Sequence, residues 1–380
     1  MRHKPWPWLG GAVLLTTACF LFLSSRSLPN ASGRETNYQG FRILGTVIEL
    51  IKHDYVEEPN AAKTMDGAFR GLVDSLDILS TYLGPGEAQK YMDSQKPGFK
   101  DPGIALIKAY GGFPQVVGLV ENSPASKSEL KPGDGISTIN GRSTLSLSLV
   151  ETQLALKSRG DEPVQLKVLR QNRTLDLTLN RAPSDTQPVS LAPAPGTAGV
   201  LRLGRMDAPS VAAAKAALAA GLRPGSGPLV LDLRNCWEGE PDAAAGLLNL
   251  FLRADRVGTF LKKQGGPEVV SCPQEAPWDK IPLAVWTNLG TQGAAEIVAA
   301  VLQDFRRAKV IGLETPGLAA KTRLLPLQDG SALLLTAEVF ALNSGTKIWG
   351  AGVKPDGKID PAASETKAYL AKTVELQAGR

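Results

Sequence analysis

The stretch from Leu283 to Leu327 has the outline of a site for acyl transfer. Leu283 to Trp286 is an apolar run that reads as a buried strand, and Asn288-Leu289-Gly290 is a turn. Ala294 to Asp304 has helical composition, with Ile297, Val298, Val301 and Leu302 on one stripe. A second buried run, Lys309 to Ile311, leads into a Gly/Pro loop, Gly312 to Gly317. A strand-turn-helix of this kind suits a nucleophile, because the helix N-terminus offers free N–H groups and a positive dipole end to a developing oxyanion. Yet Gly293, Ala294 and Ala295 fill the turn, and none has a nucleophilic side chain. Thr291, two residues before Gly293, and Lys321, in the following segment, supply a hydroxyl and an amine. A histidine triad is excluded, since His3 and His53 lie far outside the stretch. Cys236 lacks a histidine to activate it and reads as a packing residue beside Trp237.

The same stretch resembles the C-terminal processing (tail-specific) peptidases, which use a serine/lysine dyad. Their first motif runs roughly N-x-G-S-A-S-A-S-E-I-V-A-x-A-L-Q-D. Asn288, Gly290, Glu296, Ile297, Val298, Ala299, Leu302, Gln303 and Asp304 match it. The nucleophile position, three before the glutamate, falls on Gly293, and Ala294 follows it in the oxyanion region. In the next block Ile311, Gly312, Thr315, Gly317, Pro326 and Leu327 match without a gap. The general-base lysine falls on Leu318, and the assisting glutamine on Thr322. Leu231-Asp232-Leu233-Arg234-Asn235 and Gly239 match a glycine loop that helps form the family's oxyanion hole. Trp237 and Glu238 replace a proline and a glycine there, and a carboxylate beside an oxyanion site opposes the charge it should stabilise. The resemblance therefore implies the family's frame without its chemistry. A relocated dyad of Thr291 and Lys321 is the alternative, though both sit off register by amounts that displace a side chain by several ångströms.

The elements that would hold this frame can be read along the chain. Arg2-His3-Lys4 precede an apolar run, Trp6 to Leu23, which reads as an uncleaved signal anchor, a cleaved signal or, through Cys19, a poor lipoprotein box. In each case the body lies outside the cytoplasm, in a periplasm or at a cell surface. Residues 1–34 are this segment and its linker, and 35–97 an N-terminal helical region. Tyr38 to Val56 and Ala61 to Leu79 carry apolar residues at helical spacing, with Pro59 between them. Residues 98–182 resemble a PDZ domain through Glu121-Asn122-Ser123-Pro124-Ala125 and Leu130 to Gly141. Pro132-Gly133-Asp134 and Asn140-Gly141 are turn signals, Leu147 to Ser158 an amphipathic helix, and Val164 to Asn180 a hairpin. By resemblance the carboxylate loop and peptide-binding strand fall on Gly103-Ile104-Ala105-Leu106. That groove binds a peptide C-terminus, or is filled by the protein itself, or is vestigial.

Residues 183–197 are rich in Pro, Ala and Ser and read as a linker. Residues 198–360 form the peptidase-like core, and 361–380 a polar helical tail. The implied fold is α/β, a crotonase-like (ClpP-like) spiral of β-β-α units plus the PDZ module and the helical segment. The chain has 380 residues, 43% apolar and 21% charged, ordinary values for a protein with two or three real cores. Its net charge of +5 is scattered and reads as a solvated surface, with no nucleic-acid partner. Three scattered cysteines and two histidines form no metal-ligand cluster, and no cofactor is implied. Cys236 and Cys272 are read as a disulfide or as two thiols. The expected function is a membrane-anchored, proteolytically inactive homologue that binds peptide or protein C-termini or acts as a scaffold. Its oligomeric state, a homo-oligomer included, stays open.

Overall fold

The computed structural model describes residues 32–183, 189–222, 227–361 and 365–378. The basic and apolar segment up to Leu23 lies outside the described residues. No described helix is long and apolar enough to cross a membrane. The described residues fall into two compact units, divided between Asp66 and Gly67. In the first, α1 (Ser32–Asp54) starts earlier than its apolar spacing predicts, and α2 (Ala61–Asp74) begins. Phe41, Leu44 and Val47 of α1 are exposed.

The second unit opens with the end of α2, followed by β1 (Thr81–Leu83) and α3 (Pro85–Ser94). The PDZ-like module follows: β2 (Lys100–Asp101), β3 (Ile104–Ile107), β4 (Gln115–Leu119), β5 (Gly135–Ile139), β6 (Arg142–Ser143), α4 (Leu149–Leu156), β7 (Val164–Arg170), β8 (Arg173–Leu179) and β9 (Ala182–Pro183). Its sheet runs β3-β4-β5-β7-β8, which leaves β3 at an edge, and α4 packs against β3. A capping box starts α4: Ser148 Oγ accepts from Glu151 N, and Glu151 Oε2 accepts from Ser148 N. The sequence-read hairpin is the β7-β8 pair, in register from Val164–Leu179 to Arg170–Arg173.

The peptidase-like core comprises β10 (Ser190–Ala192), β11 (Gly199–Arg202), β12 (Arg205–Met206), α5 (Ala208–Gly221), β13 (Leu229–Asp232), β14 (Glu238–Gly239), α6 (Ala243–Leu248), β15 (Ala254–Lys262), β16 (Glu268–Cys272), β17 (Leu283–Thr287), α7 (Ala294–Asp304), β18 (Ala308–Gly312), β19 (Ala320–Pro326), β20 (Ala332–Leu342), β21 (Gly357–Lys358) and α8 (Thr366–Ala378). One sheet runs β10-β11-β13-β17-β18-β21, parallel except for β10. Both of its faces are covered, which explains the unbroken apolar runs of β13 and β17. Leu229, Leu231, Leu283, Val285 and Val310 point into the main core with Ile297, Val298 and Val301 of α7. Val230, Ala284, Trp286 and Ile311 point the other way, against Tyr369 of α8. A second, antiparallel sheet joins β1, β20, β15, β16 and β19.

Two segments depart from the sequence reading. The Pro/Ala/Ser stretch taken as a linker contains β10, an edge strand paired to β11, because Leu191 turns onto the core between the exposed Ser190 and Ala192. The region taken as helical contributes β1 to the core, with Thr81 opposite Leu334 and Leu83 opposite Ala332. The disulfide alternative is not realised: Cys236 and Cys272 are free, buried thiols in the main core.

Candidate functional site

The turn between β17 and α7 lies at the carboxyl end of the parallel strands, where open α/β sheets place their sites. Side-chain hydrogen bonds stitch it to the loop after β13. Asn288 Oδ1 accepts from Asn235 N and Gly290 N at 3.0 Å, and Asn288 Nδ2 donates to Asn235 Oδ1 at 2.8 Å. Thr291 Oγ1 donates to Leu233 O and accepts from Asn288 N, both at 2.9 Å, and Gln292 N donates to Cys236 O. Asn235 itself adopts φ +58°, which an asparagine tolerates better than most residues.

Gly293 caps α7 with φ +59° and ψ −117°, a conformation that strains any residue with a Cβ. A Cβ built there would meet nothing nearer than Leu318 O, at 3.9 Å. A side chain at position 293 would thus stand in ordinary van der Waals contact with the backbone carbonyl of residue 318. Glu296, one turn into α7 and fully buried, ties the two together. Its Oε2 accepts from Gly293 N at 3.0 Å and Leu318 N at 2.6 Å, and its Oε1 from Thr315 Oγ1 and Gly317 N at 2.6 Å. Burial pushes the Glu296 carboxyl upward from its ordinary pKa, and these four hydrogen bonds oppose that shift. The pattern match included Glu296 but gave it no role. Its signal was an acidic residue at the third position of a helix whose cap has no side chain.

The remaining candidate positions are placed as follows. Leu318 is buried and lines an apolar cleft of about 740 Å³ with Ile107, Phe113, Pro316 and Trp349. Thr322 is exposed on β19, opposite Thr336. Ala294 is the first residue of α7, so its N–H belongs to the helix end. Gly239 lies in β14, beside Met206 of β12, so close that a Cβ would overlap the Met206 carbonyl. Glu238 does not stand free at an oxyanion site. Its carboxylate accepts from Lys157 Nζ at 2.5 Å and Arg205 Nη1 at 2.8 Å.

Thr291 and Lys321 are each committed elsewhere. The Thr291 hydroxyl is fully buried in the turn's own hydrogen bonds. The Lys321 ammonium pairs with Asp242 at 2.6 Å and Glu268 at 2.9 Å and lies over the Phe260 ring. Partial burial works to lower the Lys321 pKa, but the two carboxylates outweigh it and hold it above the ordinary lysine value. A lysine base needs the opposite shift. Cys236 is inert as a nucleophile, since burial pushes its thiol up to about 12.

Gly103, Ile104, Ala105 and Leu106 form the start of β3 and the turn before it. Gly103 adopts φ +82°, and a Cβ there would overlap Ser123. Its N–H donates to Asp101 Oδ1 at 2.7 Å. Asp101 is buried, its Oδ2 has no hydrogen-bond partner, and its pKa rises to about 6, through burial first and the nearby Glu238 carboxylate second. No group of three or more histidine, cysteine, aspartate or glutamate side chains among the described residues could hold a metal ion.

Comparison with known proteins agrees with this architecture. Residues 197–359 match the model of peptidase family S41, and residues 101–180 that of a PDZ domain. The Carboxy-terminal-processing protease of Bartonella bacilliformis is 29% identical over 362 residues, 92% of this chain and 83% of that protein. The Carboxy-terminal processing protease CtpA of Bacillus subtilis is 26% identical over 352 residues, 92% of this chain and 75% of that protein. The solved photosystem II D1 C-terminal processing protease superposes with a TM-score of 0.69 at 23% identity, covering 87% of this chain and 90% of that one. That likeness shows the fold: a mixed α/β peptidase core with a PDZ module and N-terminal helices.

Proposed function

From a chain that belongs to the C-terminal processing protease family, with an S41 peptidase domain and a PDZ domain, we propose a proteolytically silent member that binds peptide or protein C-termini. One observation carries the reading. Glu296 holds positions 293 and 318 in a common frame, yet one has no side chain and the other has an apolar one. A hydroxyl nucleophile needs a base within hydrogen-bond reach. Gly293 has nothing to attack with, Leu318 accepts no proton, and Thr291 and Lys321 are held by other partners.

What remains is recognition. A PDZ groove takes a peptide end as an added strand, its loop N–H groups holding the carboxylate. The open edge of β3 and the packing of α4 against it support this reading. Arg2-His3-Lys4 and the apolar run to Leu23 favour a membrane-anchored protein whose body lies outside the cytoplasm. The test is a titration of the full chain with labelled peptides that end in an apolar residue. Free carboxyl termini should bind, and amidated versions of the same peptides should bind more weakly. Equal binding of the two forms contradicts the reading.

A further inference from the structure

The edge of the PDZ groove is in use within the molecule. Trp237, from the loop after β13, and Glu238, at the start of β14, line one narrow cleft with Ile104 of β3, Gln153 and Leu156 of α4, and Lys157 just beyond it. Only about 20 Å³ remains open in it. Gln292, from the turn before α7, donates through Nε2 to the Leu106 carbonyl of β3 at 3.3 Å. An added strand would need such edge carbonyls as acceptors. One loop N–H, that of Gly103, is already taken by Asp101. Asn235 Nδ2 donates to Leu119 O at 2.8 Å, and Gly118 of β4 approaches Asn235 so closely that a Cβ would overlap its Oδ1.

The contacts share a chemistry. A large aromatic residue beside a carboxylate is what a peptide ending in an aromatic residue would bring to the same place. Here Trp237 supplies the ring, and Lys157 receives the Glu238 carboxylate at 2.5 Å, with Arg205 as a second partner at 2.8 Å. We infer that Trp237 and Glu238 act as an internal ligand of the PDZ groove, so that an external peptide binds only by displacing them, and that the peptides best able to do so end in an aromatic residue with a free carboxylate. This deepens, and rests on, the reading of the groove as a binder of C-termini. Occupancy of the groove lowers apparent affinity by the fraction of time it is open; an open fraction of a tenth or less means a loss of about tenfold or more.

The experiment compares the full chain with the double variant Trp237→Ala/Glu238→Gln, by fluorescence anisotropy with a labelled octapeptide ending in tryptophan. Peptides ending in alanine and in tryptophan amide are the controls. The inference predicts that the variant binds the free tryptophan peptide at least about tenfold more tightly than the wild type. It predicts that the amide gains little and that the alanine peptide stays weaker. Gln292→Ala, which frees the Leu106 carbonyl and removes no packed apolar group, should raise affinity about threefold. It serves as the second test if the double variant melts early. Equal affinities for the wild type and both variants would overturn the internal ligand while leaving C-terminus binding intact. No binding of any peptide to any form would overturn both.

Discussion

Replacing Glu296 by glutamine tests whether this residue holds the frame of the site. Glutamine keeps the shape and removes one acceptor oxygen. The carboxylate accepts four hydrogen bonds, two at each oxygen: Gly293 N and Leu318 N at one, Thr315 Oγ1 and Gly317 N at the other. Whichever oxygen becomes an amide nitrogen, two bonds are lost and a donor meets donors. Hydrogen bonds to a charged group contribute about 1.5–3 kcal/mol each, so the gross loss is about 3–6 kcal/mol. Burial, which pushes the Glu296 carboxyl upward, makes the neutral amide easier to bury and offsets part of this. We expect a net local loss of about 3 kcal/mol, or about 100-fold faster amide exchange if opening is local. Native-state hydrogen exchange at Gly317 and Leu318 reads this directly, without assuming that a chain of several modules unfolds in one step. Unchanged protection at both amides would refute the argument that Glu296 ties the two positions together.

Three further outcomes follow from the geometry. Asp101 has its folded pKa raised from 3.8 to about 6, so its favourable contribution is complete below about pH 4 and is lost as pH rises through 6. Asp101→Asn should therefore stabilise the protein at pH 8 by up to about 3 kcal/mol and do little at pH 4, as read by melts across that range; equal shifts at both pH values contradict it. Lys321→Met should cost under about 1 kcal/mol in a denaturant titration, because Asp242 and Glu268 are both well exposed. The pair Gly293→Ser and Leu318→Lys should fold but melt earlier, since serine at φ +59° is strained by about 1–3 kcal/mol and the lysine enters an apolar cleft; labelling by a serine-directed probe should stay weak.

Much of the frame was legible because it rests on local patterns. The run Leu283 to Trp286 and the stripe Ile297, Val298, Val301, Leu302 needed only periodicity, and α7 spans Ala294–Asp304 as read. The strands β1 and β10 were not legible. Each is three residues long and gains its identity from a distant partner, Leu334 for Thr81 and Leu201 for Leu191. At the site, Gly293 and Leu318 could be read as losses from the motif alone. Glu238 could not be placed, because its partners Lys157 and Arg205 are brought to it by tertiary packing and not by sequence spacing. The same holds for Lys321: the sequence offers an amine three residues from the base position, and only the fold shows it paired to Asp242 and Glu268.

The most direct measurement of the central claim is cleavage of an unstructured protein with a tagged C-terminus by the purified full chain, followed by gel and mass spectrometry at excess of the chain over substrate. The frame around Gly293 and Leu318 predicts an intact substrate at every time point, bound or unbound. Cleavage that persists through purification and disappears in Thr291→Ala or Lys321→Ala would contradict it and assign the chemistry to those side chains.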